Sequence, residues 1–242
     1  MLTISNVSKI RKNFALKDIS VEIPEGYITG LIGPNGAGKS TLMQLILDIE
    51  PCDTGTITLD GMDHTKQGEE FRNQIGFVFD NDKTFFKYRS AVENGKVLGK
   101  LYSNWNQELF KDYLKQFHLT RNEQTEIPIN NLSKGQYMRF QLAFALAHKP
   151  KLLILDEPTA NLDPVFRMQF LQVLQEAIEG EEVAVLFATH ITTDLDKIGD
   201  YLIVLDHGVV KAYGTKEDLY DTYHVKKVAD VLLNVMKEDT DS

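Results

Sequence analysis

The stretch Gly33-Pro34-Asn35-Gly36-Ala37-Gly38-Lys39-Ser40-Thr41 decides how the chain is read. It fits G-x-x-x-x-G-K-[ST], a glycine-rich loop whose backbone N–H groups cradle phosphate. Tyr27 to Ile32, just before it, reads as a short apolar strand; Leu42, Met43, Leu45 and Ile46, just after it, recur at helical spacing. Strand, loop and helix in that order are the context the motif needs. The glycines allow a tight turn with backbone angles other residues resist. A helix opening near Gly38 adds its positive dipole end at the point where the loop amides converge. Lys39 can reach the β- and γ-phosphates of a nucleotide, the Ser40 hydroxyl can ligate Mg²⁺, and Thr41 offers a further donor. The motif alone specifies a nucleotide, not the machine that uses it.

The 242 residues suit one large domain or a core with a subdomain, and 43% hydrophobic content is ample for a packed interior. The net charge of -9 disfavours extended nucleic-acid binding, so no nucleic-acid partner is expected. A single cysteine, Cys52, excludes an internal disulfide and suits a reducing cytosol. Leu2 to Ser8 alternates like a strand, so the Met1 end is expected to be neither a signal peptide nor a transit sequence. No apolar run approaches the ~18–20 residues that span a bilayer. The chain is therefore expected to be soluble by itself and to reach a membrane only by docking on another protein.

Outward from the loop, Leu2 to Val7 and Ile19 to Ile23 alternate as strands, with basic Lys9 to Phe14 expected as the turn between them. Pro24-Glu25-Gly26 turns into the loop strand, and Thr56 to Leu59 is a further strand; these early strands predict a small antiparallel sheet beside the nucleotide. Ile75 to Phe79 reads as a buried strand. Ser90 to Leu101, Asn106 to Phe117 and Gln136 to Ala147 are helical in period with no strand between, which predicts a helical subdomain over 84–148 inserted into an α/β core of 1–83 and 149–242. The core resumes with Leu152 to Leu155, a helix over Pro164 to Ile178 and a strand over Val183 to Ala188, an alternation that predicts a buried parallel sheet. Tyr201 to Leu205 and Val209 to Tyr213 flank a hairpin turn. Thr215 to Tyr223 and Val225 to Met236 read as helices, and Lys237 to Ser242 as a frayed tail.

The 152–155 strand runs directly into Asp156-Glu157-Pro158. In a parallel sheet its carboxyl end lies beside the phosphate loop, where ligands bind. Asp156 can help hold Mg²⁺ and Glu157 can polarise a water aimed at the γ-phosphate, the positioning that phosphoryl transfer requires. Leu132-Ser133-Lys134-Gly135-Gln136 opens the long helix near 136–148; Ser133 with Gln136 three residues on is a capping box, and the same helix end is also an anion site. This stretch resembles the L-S-G-G-Q signature of ATP-binding cassette (ABC) ATPases, and the order phosphate loop, helical insert, signature and Leu152-Leu153-Ile154-Leu155-Asp156-Glu157-Pro158 is that family's arrangement. Asn161-Leu162-Asp163-Pro164 resembles its D-loop, which is also an Asp N-cap with proline at the first helical position. Ala188-Thr189-His190 is similar to its switch histidine, which contacts the γ-phosphate.

The resemblance covers nearly the whole chain and implies an α/β fold: a P-loop NTPase (RecA-like) core with a small antiparallel β subdomain and an inserted helical subdomain. It implies ATP and Mg²⁺, with Gly33 to Thr41 on the phosphates, Ser40, Asp80 and Asp156 on the metal, and Lys39, Glu157 and His190 as the catalytic set. It implies that Ser133, Gly135 and Gln136 complete the site of a second ATPase subunit, paired head to tail. Lys134 departs from the signature, where the family has a glycine, and adds a charge near the partner's nucleotide. Asp80 stands where the family has a glutamine that ligates Mg²⁺ and links to the membrane partner; a carboxylate can serve the metal. The aromatic that stacks on adenine is replaced: Arg11 occupies about that place, and either Phe14 or the Arg11 guanidinium plane is left to do the stacking. Phe85-Phe86-Lys87-Tyr88-Arg89 are either core or candidate contacts for a short helix of the transmembrane partner.

The resulting expectation is the ATPase subunit of a membrane ABC transporter, peripheral on the cytoplasmic face through a separate permease. The Asp163-Pro164-Val165-Phe166-Arg167 run and Asp80 look similar to bacterial ABC-2-like exporter subunits, which points to export. The rival readings are a soluble ABC ATPase acting on ribosomes or DNA, against which stand the single phosphate loop and compact insert, and a nucleotide-binding regulator, against which stand Lys39, Asp156, Glu157 and His190.

Overall fold

The computed structural model describes residues 1–79, 84–119 and 126–238. In chain order, β1 (Leu2–Arg11) and β2 (Phe14–Ile23) form a hairpin, and β3 (Ile28–Ile32) leads through the phosphate loop into α1 (Lys39–Ile46). Next come β4 (Thr54–Leu59), β5 (Met62–Asp63), α2 (Gly68–Asn73) and β6 (Ile75–Phe79). Helices α3 (Ala91–Leu98), α4 (Gln107–Gln116) and α5 (Lys134–Leu146) follow before β7 (Leu152–Asp156), α6 (Pro164–Ile178), β8 (Ala184–Ala188) and α7 (Thr192–Ile198). The chain closes with the β9 (Tyr201–Asp206) and β10 (Val209–Thr215) hairpin, α8 (Lys216–Tyr223) and α9 (Val228–Glu238).

These strands make two sheets. The smaller is antiparallel in the order β2-β1-β4-β5; the larger runs β10-β9-β3-β8-β7-β6 and is parallel from β9 through β6. The apolar runs of the central strands divide by alternation between two cores. Leu152, Ile154, Ala184 and Leu186 pack with α1 and the smaller sheet, whereas Leu153, Leu155, Val185 and Phe187 pack with α5 and α6. Buried positions surround α5 on nearly every side, so the helix is enclosed by its neighbours. It runs beside β6, the edge strand, so the helical segment expected over 84–148 shares one continuous core with the sheet.

The structure corrects several sequence boundaries. Lys9 to Phe14 is not the turn. β1 pairs with β2 as far as Arg11 opposite Phe14, leaving only Lys12 and Asn13 to reverse the chain. Exposed residues such as Ile10 carry no burial pattern there, but cross-strand hydrogen bonds hold them extended all the same. The helix expected to reach Leu101 ends at Leu98 and tightens into a 3-10 turn over Gly99–Leu101, where the Trp105 ring lies against Gly99. The last helix starts at Val228 rather than Val225 and continues through Glu238; residues 239–242 of the expected tail lie outside the described residues.

Sheet register sets the site. Leu31 of β3 and Asp156 of β7 both stand opposite Ala188 of β8. Phe79 of β6 stands opposite Asp156. The carboxyl ends of these parallel strands therefore deliver the phosphate loop, the acidic pair and the Thr189-His190 loop to a single edge.

Candidate nucleotide site

The phosphate loop, the acidic pair and the β1–β2 turn surround an open cavity of about 880 Å³, within the ~300–1,000 Å³ usual for small-molecule sites. Its lining comprises Asn35 to Thr41 of the loop, Asp156 and Glu157 at the end of β7, Phe79 at the end of β6, and Arg11, Asn13 and Phe14. Gly33 and Pro34 are not in the wall. They lie behind it, and their carbonyls accept hydrogen bonds from Lys39 Nζ at 2.7 and 3.2 Å. Gly33 has no room for a side chain: a Cβ there would sit 2.0 Å from the Leu205 carbonyl oxygen. Burial pushes the Lys39 ammonium below its ordinary pKa, and the carboxylates of Glu157 and Asp156 pull it back upward. A cation facing two carboxylates across a loop of amides suits a polyanion that arrives with a divalent metal.

Glu157 follows β7 directly, with a left-handed backbone (φ 50) that costs roughly 1–2 kcal/mol in a residue other than glycine. That turn lets its N–H donate to the Ala188 carbonyl at 2.9 Å. Its carboxylate meets the next loop: Oε2 lies 2.8 Å from His190 Nδ1 and accepts from the His190 N–H and the buried Thr189 hydroxyl, each at 3.3 Å. His190 is outside the cavity lining and joins the site through Glu157. Arg11 reaches the outer wall with its guanidinium donating to Glu50 at 2.6 Å and Gln44 at 2.8 Å. Phe14 lies over Gly38, where a Cβ would come 2.6 Å from its ring. Both residues hence line the cavity as the sequence suggests. Asn13 and Phe79 were missed, since neither belongs to a motif.

Asp80 lies outside the described residues. The strand end that precedes it is fixed from an unforeseen direction. Buried Gln141 of α5 donates to the Phe79 carbonyl at 2.8 Å and accepts from the Phe79 N–H at 3.2 Å, standing in for the missing neighbour of an edge strand. Ser133, Gly135 and Gln136 are not in the wall of this cavity. They form the amino end of α5, where Ser133 Oγ accepts from the Gln136 N–H at 3.3 Å and Gln136 Oε1 accepts from the Ser133 N–H at 2.8 Å, a complete capping box. Gly135 is backed by Phe166 of α6. Asp163 caps α6 by accepting from Val165 and Phe166 N–H groups, with Pro164 at the first position.

Of the five residues offered as docking contacts, Phe85 belongs to the core: it is 8% exposed, with ring centroids 4.7 Å from Phe140 and 5.0 Å from Phe144. Phe86 and Tyr88 are exposed, and Lys87 lines a separate groove with Ile129, Asn130, Leu132, Lys134 and Tyr137.

A phosphate loop, paired carboxylates and a histidine on adjacent parallel strands define a nucleotide-hydrolysing core. The ABC transporter family profile matches residues 16–160. The chain is 34% identical over 204 residues to the uncharacterized ABC transporter ATP-binding protein YdbJ of Bacillus subtilis (strain 168), covering 84% of this chain and 65% of that protein. It is 31% identical to the ABC transporter ATP-binding protein NatA of the same organism, covering 86% of this chain and 85% of the relative. It is 37% identical to the sulfate/thiosulfate import ATP-binding protein CysA of Thermosynechococcus vestitus, covering 91% and 66%. The chain thus spans just under two thirds of YdbJ and of CysA. Among solved structures, an ATP-binding subunit of an ABC transporter superposes with a TM-score of 0.86 at 23% identity, covering 98% of this chain and 99% of that one. The cbiO1 protein of Clostridium perfringens, part of the transporter complex cbiONQ, matches with a TM-score of 0.80 at 28% identity, covering 91% and 90%. The chain belongs to the ATP-binding subunits of the ABC transporter family, whose cassettes are ATPases. Among the described residues, no helix is long and apolar enough to cross a membrane.

Proposed function

We propose that this chain hydrolyses Mg-ATP to drive export through a separate transmembrane permease, from the cytoplasmic face of the membrane. The observation that carries the chemistry is the contact of Glu157 with His190 at 2.8 Å beside a cavity walled by Lys39, Ser40 and Asp156. The Ser40 hydroxyl and the Asp156 carboxylate present oxygen donors to one cavity, the set a small hard cation prefers. Ser40 and Asp156, with Asp80 from the sequence reading, would hold Mg²⁺, which would supply charge neutralisation. The loop residues Gly33 to Thr41 orient the phosphates, Lys39 holds charge on the β- and γ-oxygens, and Arg11 with Phe14 bounds the base. Glu157 accepts the proton of the attacking water, and His190 holds Glu157 and the γ-phosphate in register.

The second half of the site comes from another subunit. Ser133, Gly135 and Gln136 lie outside the cavity lining of their own chain, at an amino helix end with unspent N–H donors. In a head-to-tail pair, homomeric or with a homologue, they close on the partner's γ-phosphate. Residues 84–148 form the signature subdomain, and Phe86, Lys87, Tyr88 and Arg89 at its edge receive the permease. Export rests on the likeness of the 163–167 run to exporter subunits and on relatives such as the linearmycin resistance protein LnrL of B. subtilis, 34% identical over 223 residues; the import protein CysA shares the same cassette.

The test is turnover of the reconstituted permease complex. Changing Glu157→Gln is expected to leave ATP binding within about twofold and to lower kcat by roughly a thousandfold or more. Hydrolysis at the normal rate would show that Glu157 is not the base. Substrate accumulation by inside-out vesicles, and not by right-side-out ones, marks export.

A further inference from the structure

Asp194 is wholly buried on α7, four residues beyond His190, and the catalytic reading gives it no task. It accepts from the Thr159 hydroxyl at 2.6 Å and from Arg167 Nε at 2.6 Å, and the same guanidinium donates to the Thr193 hydroxyl at 2.6 Å. Thr159, also buried, is two residues beyond Glu157; Arg167 lies in the first turns of α6, just after Asp163. The loops that carry Glu157 and His190 are therefore tied twice. The inner tie is the Glu157–His190–Thr189 contact at the cavity. The outer tie is Thr159 and Arg167 on one side against Asp194 and Thr193 on the other.

A carboxylate with no solvent exposure is costly unless its lone pairs are filled by fixed donors. Here both oxygens are used, Oδ2 by Thr159 and Oδ1 by Arg167. That geometry tolerates one relative placement of the loops and resists others. Glu157 itself sits in a strained left-handed conformation, which persists only where the surroundings over-determine it. We propose that Asp194 is a positioning residue for the Glu157–His190 pair, working through Thr159 and Arg167 without touching ATP. Because Arg167 also follows the Asp163 cap, a displacement of the 161–163 loop is passed through Asp194 to the loop that carries His190.

This inference rests on the assignment of Glu157 and His190 above. Its test is a double-mutant cycle on the assembled permease complex, with Asp194→Asn and the milder Thr159→Val, each alone and with His190→Ala. Displacing a reacting group by a fraction of an ångström to 1 Å costs about ten- to a hundredfold in rate. Each single variant is accordingly expected to lose about tenfold or more in kcat, with KM and the ATP dissociation constant within about twofold. In the His190→Ala background the same changes are expected to cost less than about twofold, because the pair they position is already broken. An equal loss in both backgrounds overturns the proposal, as does full kcat in the single variants. If Asp194→Asn does not fold, the Thr159→Val cycle, which keeps the Arg167–Asp194 ion pair, decides alone. A Glu157→Gln variant that turns over normally would refute the base assignment; an inactive Glu157→Gln with an additive cycle refutes only the role of Asp194.

Discussion

His148 provides a measurement of how the helical segment is joined to the sheet. The residue has no solvent exposure. Its ring stacks on Tyr102 at 4.0 Å and its Nε2–H donates to the Ile75 carbonyl of β6 at 3.2 Å. Its own carbonyl accepts from Asn104 at 2.5 Å. Burial lowers the imidazole pKa from 6.5 to about 4, against the opposing pull of backbone carbonyls. In the unfolded chain the ring takes a proton near its ordinary value; in the fold it stays neutral. The unfolded state thus binds more protons between these values, so stability is fully present above pH 6.5 and falls as pH drops towards about 4. At about 1.4 kcal/mol for each tenfold difference in proton affinity, this single ring accounts for about 3 kcal/mol. That is a large share of the ~5–15 kcal/mol typical of a domain. The assay is urea unfolding followed by circular dichroism from pH 7.5 to 4, comparing the native chain with His148→Gln, which keeps a donor for Ile75 but does not titrate. The native chain is expected to lose about 3 kcal/mol more than the variant over that range. A stability difference that stays constant with pH would refute the argument.

Two further outcomes follow from close contacts at the site. Gly33→Ala places a Cβ 2.0 Å from the Leu205 carbonyl; the loop must shift, and calorimetry is expected to show ATP affinity reduced about a hundredfold or more while circular dichroism stays native. Gln141→Leu removes both hydrogen bonds that hold Phe79 and leaves its N–H and C=O without partners, so denaturant unfolding is expected to show a loss of about 2 kcal/mol, and nucleotide binding should weaken with it because Phe79 is part of the cavity wall.

What the sequence reveals and what it hides divide along the chain separation of the partners. The phosphate loop, the acidic pair after β7 and the helix over Pro164–Ile178 are local signals, written in adjacent residues or in one period, and they match the structure closely. The capping box at Ser133 is local too, closed within one turn. The extent of the first hairpin is not local. The exposed residues near Arg11 have no burial pattern to read, and their strand exists because Phe14 and Ala15 pair with them. The pairs that set the site are more distant still. Gln141 and Phe79 are 62 positions apart, and Thr159 and Asp194 are 35 apart. An interior glutamine or aspartate on a helix carries no mark of its partner; only the burial of both shows that each needed one. Phe85 illustrates the converse. In an aromatic-basic run the sequence leaves it open between core and surface, and the choice is made by α5, which offers it Phe140 and Phe144.

The capping box at Ser133 has a bearing on the proposed pairing of subunits. Gln136 Oε1 and Ser133 Oγ are each committed as acceptors to the other's backbone N–H. What this helix end retains is donor capacity: the Ser133 hydroxyl hydrogen, the Gln136 amide hydrogens and the first-turn N–H groups that no helical carbonyl can reach. A helix end that keeps N–H donors directed outward favours an anion over a cationic group. The Lys134 side chain, in place of a glycine, adds positive charge at the same end and lines the neighbouring groove. The cavity beside the Gly33–Thr41 loop also presents donors, the Lys39 ammonium and the loop amides, along with the carboxylates of Asp156 and Glu157. The donors of the two ends have no use for one another, and a polyphosphate between them would serve both. In the proposed head-to-tail pair, ATP would then be the adhesive of the interface, and hydrolysis with release of phosphate would remove the group that the Ser133 end is proposed to hold.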